Sequence, residues 1–196
     1  MKQIYFSLSA LIILFIATSC SMDNNEEPDF TSEVPGIIEK EIDGLKFSFW
    51  LSDKDGNETN IFDEEDVKER GFLLNISLTN NGDKNIFIDD TVFSQSFSNV
   101  FNAVDNYVGW SCFMVPDIYI VYKIQPGETH YKSIPWGIYD EHINCTMILP
   151  AGKYHTSFSK KFTYEYGDNY NLTDIVKTTK TKTIEIPDML IDFEVK

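Results

Sequence analysis

Asp53, Asp55 and Asn57 gather two carboxylates and an amide around Gly56. That is the oxygen-rich ligand set a hard cation such as calcium takes. The register does not follow an EF-hand loop, because Phe62 falls where the bidentate Glu belongs if Gly56 is the sixth residue. The same stretch suits a tight turn, so no metal site is expected. Asp63, Glu64, Glu65 and Asp66 either extend such a site or form a solvated acidic loop. His130, His142 and His155 stand on separate segments, and Asp140-Glu141-His142 has no second ligand pair at a matching spacing. It reads as a charged loop tip rather than a metal or acid-base site. His155 falls on the polar side of its run, where solvent exposure is expected. No H-E-x-x-H, G-x-S-x-G, Walker A or G-x-G-x-x-G pattern occurs, so no catalytic residue and no cofactor is expected. Trp50, Trp110 and Trp136 are platforms for sugar rings or hot spots for proteins if exposed, and core anchors if buried. Trp50 lies between Ser48 and Ser52 on the polar parity of its segment, which makes it the candidate ligand platform. Trp110 and Trp136 read as core or edge residues.

The elements that would position these residues are strands. From Ile37 onward the hydrophobic period is two: Leu45, Phe47, Phe49 and Leu51 alternate with Lys46, Ser48 and Trp50. Phe72, Leu74, Ile76 and Leu78 repeat the pattern, as do Ile118, Ile120, Tyr122 and Ile124. The longest run is Tyr154, Thr156, Phe158, Phe162, Tyr164 and Tyr166, and Ile184, Ile186, Ile191, Phe193 and Val195 close the chain. Such alternation places one face inward and one in water, as antiparallel sheets do. Asp53-Lys54-Asp55-Gly56-Asn57, Asn80-Asn81-Gly82-Asp83, Gln125-Pro126-Gly127-Glu128 and Leu149-Pro150-Ala151-Gly152 supply the turns. Only residues 63–70 suit a helix, of two turns at most. The expected fold is all-β, an immunoglobulin-like antiparallel β-sandwich of about seven to nine strands over residues 37–196. Residues 97–107, which mix aromatic and polar side chains without long alternation, suit either a recognition loop or an irregular strand crossing between sheets.

The composition bounds the function. The 196 residues carry 16 Lys+Arg and 31 Asp+Glu, a formal charge of −15, which argues against nucleic acid as a partner. With 14% aromatic residues the chain has the means to fold. Residues 1–20 read MKQIYFSLSALIILFIATSC: one basic residue, an apolar run too short to span a membrane stably, then Ala17-Thr18-Ser19 before Cys20. That ending resembles the bacterial lipobox, which implies that residues 1–19 are a lipoprotein signal peptide and that Cys20 receives the lipid. The alternative is an ordinary secretory signal with an incidental cysteine. Multiple acyl chains anchor a protein stably, so the expected membrane contact is through the lipid on Cys20. Residues 20–36 are polar and acidic and read as a flexible tether. The acidic stretch just after Cys20 also resembles the export signal of Bacteroidota-type surface lipoproteins, implying an outer-membrane anchor and a cell-surface location. Cys112 and Cys145 then remain as an even pair in an exported protein, for which a disulfide is expected. Loop closure would contribute roughly 4 kcal/mol at most; two buried free thiols are the alternative. Asp90-Thr91-Val92 resembles the three-residue O-glycosylation motif of such exported proteins, which would place sugar on Thr91.

Three segments carry a further resemblance: FLLNISLTNNGD (72–83), IQPGETHYKSIPW (124–136) and LPAGKYHTSFS (149–159). Their order resembles the BsuPI-like intracellular proteinase inhibitor family and related immunoglobulin-like modules. With Gly109-Trp110-Ser111-Cys112 added, it resembles a group of Bacteroidota-type lipoproteins. The resemblance spans roughly residues 45–165 and consists mostly of turn grammar; it implies a sandwich, and no inhibitory loop transfers residue by residue. The inhibitor family lacks a lipid anchor and this cysteine pair. The expected function is therefore that of a non-catalytic, lipid-anchored envelope protein that binds a protein or glycan partner or serves as an accessory module. The alternatives are a proteinase inhibitor and a glycan-binding accessory lipoprotein of a surface uptake system.

Overall fold

Where the sequence alternates, the backbone pairs. The structure, a computed structural model, describes residues 36–110, 120–136, 148–168 and 179–196. All of these belong to one compact unit, Glu33–Lys196. In chain order the strands begin with β1 (Ile38–Ile42) and β2 (Leu45–Ser52). They are joined by Asp43 and Gly44, both at positive φ (54° and 77°). This Asp-Gly pair is the turn chemistry that a two-residue hairpin requires. Next come β3 (Ile61–Phe62), α1 (Glu64–Arg70), β4 (Phe72–Asn80), β5 (Ile86–Asp89) and α2 (Asp90–Gln95). They are followed by β6 (Asn99–Asn102), β7 (Tyr107–Trp110), β8 (Val121–Ile124) and β9 (Thr129–Trp136). The last four are β10 (Gly152–Ser157), β11 (Lys161–Tyr166), β12 (Lys180–Glu185) and β13 (Leu190–Val195).

The expected helix at residues 63–70 forms as α1. Asp63 caps it, accepting from the backbone N–H groups of Glu65 and Asp66. Gly71 ends it at φ 66°. The second helix, α2, has no counterpart in the sequence reading. Asp89 caps it, accepting from the Val92 N–H at 2.9 Å, and only Phe93 among its apolar residues is fully buried. One turn and a half is too short for the 3.6-residue period to stand out from a strand-rich background.

One sheet has the order β1-β2-β4-β9, fully antiparallel; the others run β3-β13-β10-β6-β7 and β12-β11-β5-β8. Thirteen strand segments are described among these residues, more than seven to nine, because two long runs are each broken in two and short segments such as the two-residue β3 pair as well. β10 and β11 are one run interrupted at Phe158–Lys160, and β12 and β13 another interrupted at Ile186–Met189. Phe158 N–H donates to Met189 O (3.0 Å) and Ile186 N–H to Lys160 O (2.9 Å), which carries the ladder across the break. The five-stranded sheet and the β12-β11-β5-β8 sheet are thus continuous through this pair of runs. Pro187 has no N–H to give to a regular ladder, which accounts for the break on that side.

The core fills the space between the layers with rings. Phe47 of the first sheet meets Phe158 and Phe162 of the opposite layer, with centroids 5.4 and 5.3 Å apart. Phe72 packs against Phe62, Phe193 and Trp136, and Phe93 against Phe97 and Phe162. All the inward residues of β4 (Phe72, Leu74, Ile76 and Leu78) are fully buried. This interlayer packing of aromatic and aliphatic side chains is the main driving force for a sandwich of this size. Residues 97–107 are neither a free loop nor a crossing strand. Phe97 is buried, β6 pairs with both β10 and β7, and a bulge between Val100 and Phe101 accounts for the broken alternation.

Candidate functional site

The outward face of the first sheet carries the candidate platform. β2 runs antiparallel to β4, and β4 to β9, so that Trp50, Asn75 and Ser133 share one rung while Ser48, Ser77 and Tyr131 share the next. Trp50 is only partly exposed, whereas Tyr131 on the far strand is 68% exposed. Between them lies a floor of small polar side chains. Ser48, Ser52, Asn75 and Ser77 point outward by parity yet are buried. The sequence reading therefore placed Trp50 on the correct face but took its serine neighbours as solvated. Asn75 Nδ2 donates to Ser52 Oγ (2.9 Å), and Ser133 Oγ donates to Asn75 Oδ1 (2.6 Å). The floor is thereby cross-linked from β2 to β9. At the β1 side Glu39 accepts from Ser48 Oγ (3.1 Å) and pairs with Lys46 Nζ (2.8 Å). These bonds, the lysine's first, hold the Glu39 carboxyl below its ordinary range. Tyr131 carried no functional signal in the sequence reading; only its position opposite Ser48 and Ser77 gives it meaning.

A second concavity of about 260 Å³ opens at one end of the sandwich. Its walls come from the β1–β2 turn, the β4–β5 connection, β11 and β12. Tyr164 and Tyr166 form one side, with Asp43, Asp83, Lys84 and Lys182 around the mouth. Lys182 Nζ is 3.2 Å from Asp43 Oδ2, and this contact raises the lysine's affinity for its proton. Lys84 Nζ sits 5.7 Å from the centre of the Tyr166 ring, within cation–π range. Burial raises the Tyr164 hydroxyl above the ordinary phenol range. Gly44 and Gly82 come together here: a Cβ on Gly44 would lie 3.2 Å from the Gly82 Cα. The cleft draws on four distant segments, which is why no sequence motif announces it.

At the Asp53 turn the oxygens are already in use. Asp53 Oδ1 accepts from the N–H groups of Asp55 (2.9 Å) and Asn57 (2.8 Å), and Oδ2 from Asn57 Nδ2 (2.7 Å). Asp55 Oδ1 is held by Arg70 at 2.6 Å. The hydrogen bonds from Asn57 lower the Asp53 carboxyl below its usual range. This is a self-satisfied Asx turn. Among the described residues no group of three or more His, Cys, Asp or Glu is placed to hold a metal ion.

The histidines differ from one another. His155 is not freely solvated: its side chain is 13% exposed, stacks on Phe101 at 5.3 Å, and places Nε2 3.4 Å from Asp105. Its cross-strand partner Phe101 on β6 and Asp105 in the β6–β7 turn shield it, a long-range contact invisible in the local pattern. His130 stands between Tyr122 (4.2 Å) and Phe93 (5.9 Å), its Nε2 buried without a hydrogen-bond partner. Burial lowers its proton affinity. Nearby, Lys132 Nζ bridges both carboxylate oxygens of Asp90, at 2.7 and 2.9 Å, tying α2 to β9. Asp90 thus has a structural task, and Thr91 follows it on the first turn of α2, partly exposed. Trp136 is fully buried in the core, and its Nε1 has no partner. Cys20, Cys112, Cys145 and the Asp140-Glu141-His142 tip lie outside the described residues. Among the described residues no helix is long and apolar enough to cross a membrane.

Compared with protein-family models, curated proteins and solved structures, the chain finds no match.

Proposed function

We propose that this chain is a non-catalytic, lipid-anchored envelope protein, held on the outer membrane through Cys20 and presenting its sandwich at the cell surface as a binding or accessory module. The observation that carries the binding part is the outward face of the first sheet. An exposed Tyr131 and a partly exposed Trp50 flank a hydrogen-bonded polar floor. Exposed aromatic side chains held over a rigid, internally bonded base are what binding hot spots are made of. The anchoring part rests on Ala17-Thr18-Ser19-Cys20 and the acidic stretch behind it.

External labelling of intact cells with a membrane-impermeant crosslinker, followed by mass spectrometry of the recovered protein, tests both parts. Labelling of this chain together with a lipid-modified Cys20 is the expected result. A water-soluble protein with unmodified Cys20, or a protein reached only after the cells are opened, overturns the surface reading. The proteinase-inhibitor alternative draws its support from the resemblance in β4, β9 and β10. Failure of the full chain to slow any member of a broad protease panel removes it.

A further inference from the structure

We infer that the cleft at the sandwich end binds a small carboxylate carried on an apolar body, its anion held by Lys84 and the Tyr164 hydroxyl. This site is separate from the outward sheet face and goes beyond the surface-module reading. Tyr164 is the residue on which it turns. Its side chain belongs to the core, at 6% exposure, yet its hydroxyl makes no hydrogen bond among the described residues. Nor is that oxygen sealed in, as His130 Nε2 and Trp136 Nε1 are. The charged groups it senses, Lys182 and Asp43, both line the cleft, so the hydroxyl opens there. Burial keeps it protonated at neutral pH, which makes it a donor.

The charges select an anion. Lys182 is already held by Asp43. The Lys84 ammonium engages no carboxylate among the described residues and rests over the Tyr166 ring. Lys180, the cross-strand partner of Tyr166, engages none there either. Against these two free ammonium groups stands Asp83, exposed at the mouth. Three lysines and two aspartates thus leave this end locally positive by one, in a chain of formal charge −15. A monoanion matches that excess. A phosphate monoester, as a dianion, would face Asp43 and Asp83 with too little positive charge to offset them, and an amine would face two ammonium groups. Lysine N–H and tyrosine O–H groups make charge-assisted hydrogen bonds to a carboxylate.

The rest of the lining selects the body. The Tyr164 and Tyr166 rings have centroids 6.3 Å apart, and the buried Leu45 and Ile86 add apolar surface. A volume of about 260 Å³ falls below the roughly 300–1,000 Å³ of drug-sized pockets, which suits a single ring or side chain. The backbone that carries Lys84 is set in advance. Asn80, 1% exposed, donates from Nδ2 to Lys84 O (2.8 Å) and Ile124 O (2.9 Å) and accepts from the Gly82 N–H (3.0 Å).

Isothermal titration calorimetry of the full chain in detergent tests this, with phenylacetate as the probe and phenylacetamide and benzylamine as its neutral and cationic counterparts. The expected result is saturable binding of phenylacetate, about fivefold or more weaker in Lys84→Met and in Tyr164→Phe, and no binding of the amide or the amine. Lys84 is exposed and Asn80 uses only its backbone carbonyl, so Lys84→Met leaves the fold intact. Tyr164→Phe keeps the buried ring. The tripeptide Ala-Ala-Phe and its C-terminal amide separate two sources of such a carboxylate. Binding of the free tripeptide but not its amide assigns the group to a peptide end; binding of phenylacetate alone assigns it to a free organic acid. No saturable binding of either carboxylate, equal binding of phenylacetate and its amide, tighter binding of benzylamine, or an affinity unchanged in Lys84→Met overturns the proposal. Surface labelling is unaffected by any of these outcomes, so the surface-module reading stands or falls on its own test.

Discussion

The outward face of the first sheet and the tyrosine cleft at the sandwich end both pair aromatic rings with polar groups, but they dispose of charge in opposite ways. On the sheet face the polar groups are neutral, small and bonded to each other through Asn75, Ser52 and Ser133. In the cleft they are long and ionic: Asp43 is engaged by Lys182, and Lys84 lies over Tyr166. A flexible ion pair at the surface stabilises little and competes with any incoming ligand for its own partners. A short-chain network has no such freedom and holds a fixed base beside the exposed Tyr131 and the partly exposed Trp50. Two regions with similar aromatic content therefore differ in how firmly their polar groups are held, because of side-chain length and charge.

The strongest challenge to this comparison is to remove what both regions share. Phe47 lies in the core on β2, touching Phe158 and Phe162, and Phe162 in turn stacks on Tyr164 of the cleft wall. Phe47→Ala should cost about 3–5 kcal/mol of stability in urea unfolding and loosen both regions together. A loss below about 1 kcal/mol would mean the layers are not packed as described. Next in size is the floor itself. Asn75→Ala leaves the buried Ser52 without its partner and Ser133 without its acceptor, and should cost about 1–3 kcal/mol. Ser133→Ala, which removes an exposed hydroxyl, should cost clearly less. Equal losses for the two would show that the floor is not a network.

His130 sharpens the contrast from beneath the face, since it follows Thr129 and precedes Tyr131 but points inward. Burial lowers its folded-state proton affinity, with Asp90 partly opposing and Lys132 adding to the effect. The unfolded chain then binds the proton more readily than the folded one. Stability is full above about pH 6.5, the unfolded value, and is lost as pH falls through the lowered folded value. Denaturation midpoints from about pH 7.5 down to about pH 5 should decline more steeply in the native chain than in His130→Phe. Parallel curves would remove His130 as the cause.

The cleft should give the smallest response. Lys182→Met breaks an ion pair whose two side chains are each nearly half exposed, so it should cost under about 1 kcal/mol, with the difference vanishing at high salt. A larger, salt-insensitive loss would show the cleft to be as rigid as the sheet face and erase the distinction. Calcium should leave the melting temperature unchanged, because Asp53 and Asp55 already spend their oxygens on Asn57 and Arg70. An upward shift would show that a cation can displace them.

The sequence alone determined whatever depends on nearest neighbours along the chain. Period-two alternation identified the core faces of β2, β4, β10, β11 and β13, since a strand's parity is set locally. Residues 63–70 were legible as the short helix α1, and Pro126-Gly127 marked the turn between β8 and β9, where Gly127 adopts φ 81°. Asp43-Gly44 was equally legible as a hairpin signal, though the strand reading began only after it. What needed the tertiary structure is everything decided by register between strands distant in sequence. Only pairing sets Tyr131 on the rung of Ser48 and Ser77, and Trp50 on that of Asn75 and Ser133. Only the pairing of β6 beside β10, which sets Phe101 against His155, turns that histidine from a surface residue into a half-buried one, and only the approach of Gly82 to Gly44 shapes the cleft. Local pattern fixes which way a side chain points; which neighbours it then meets depends on loop closure and core packing over the whole chain, and a single strand contains no record of them.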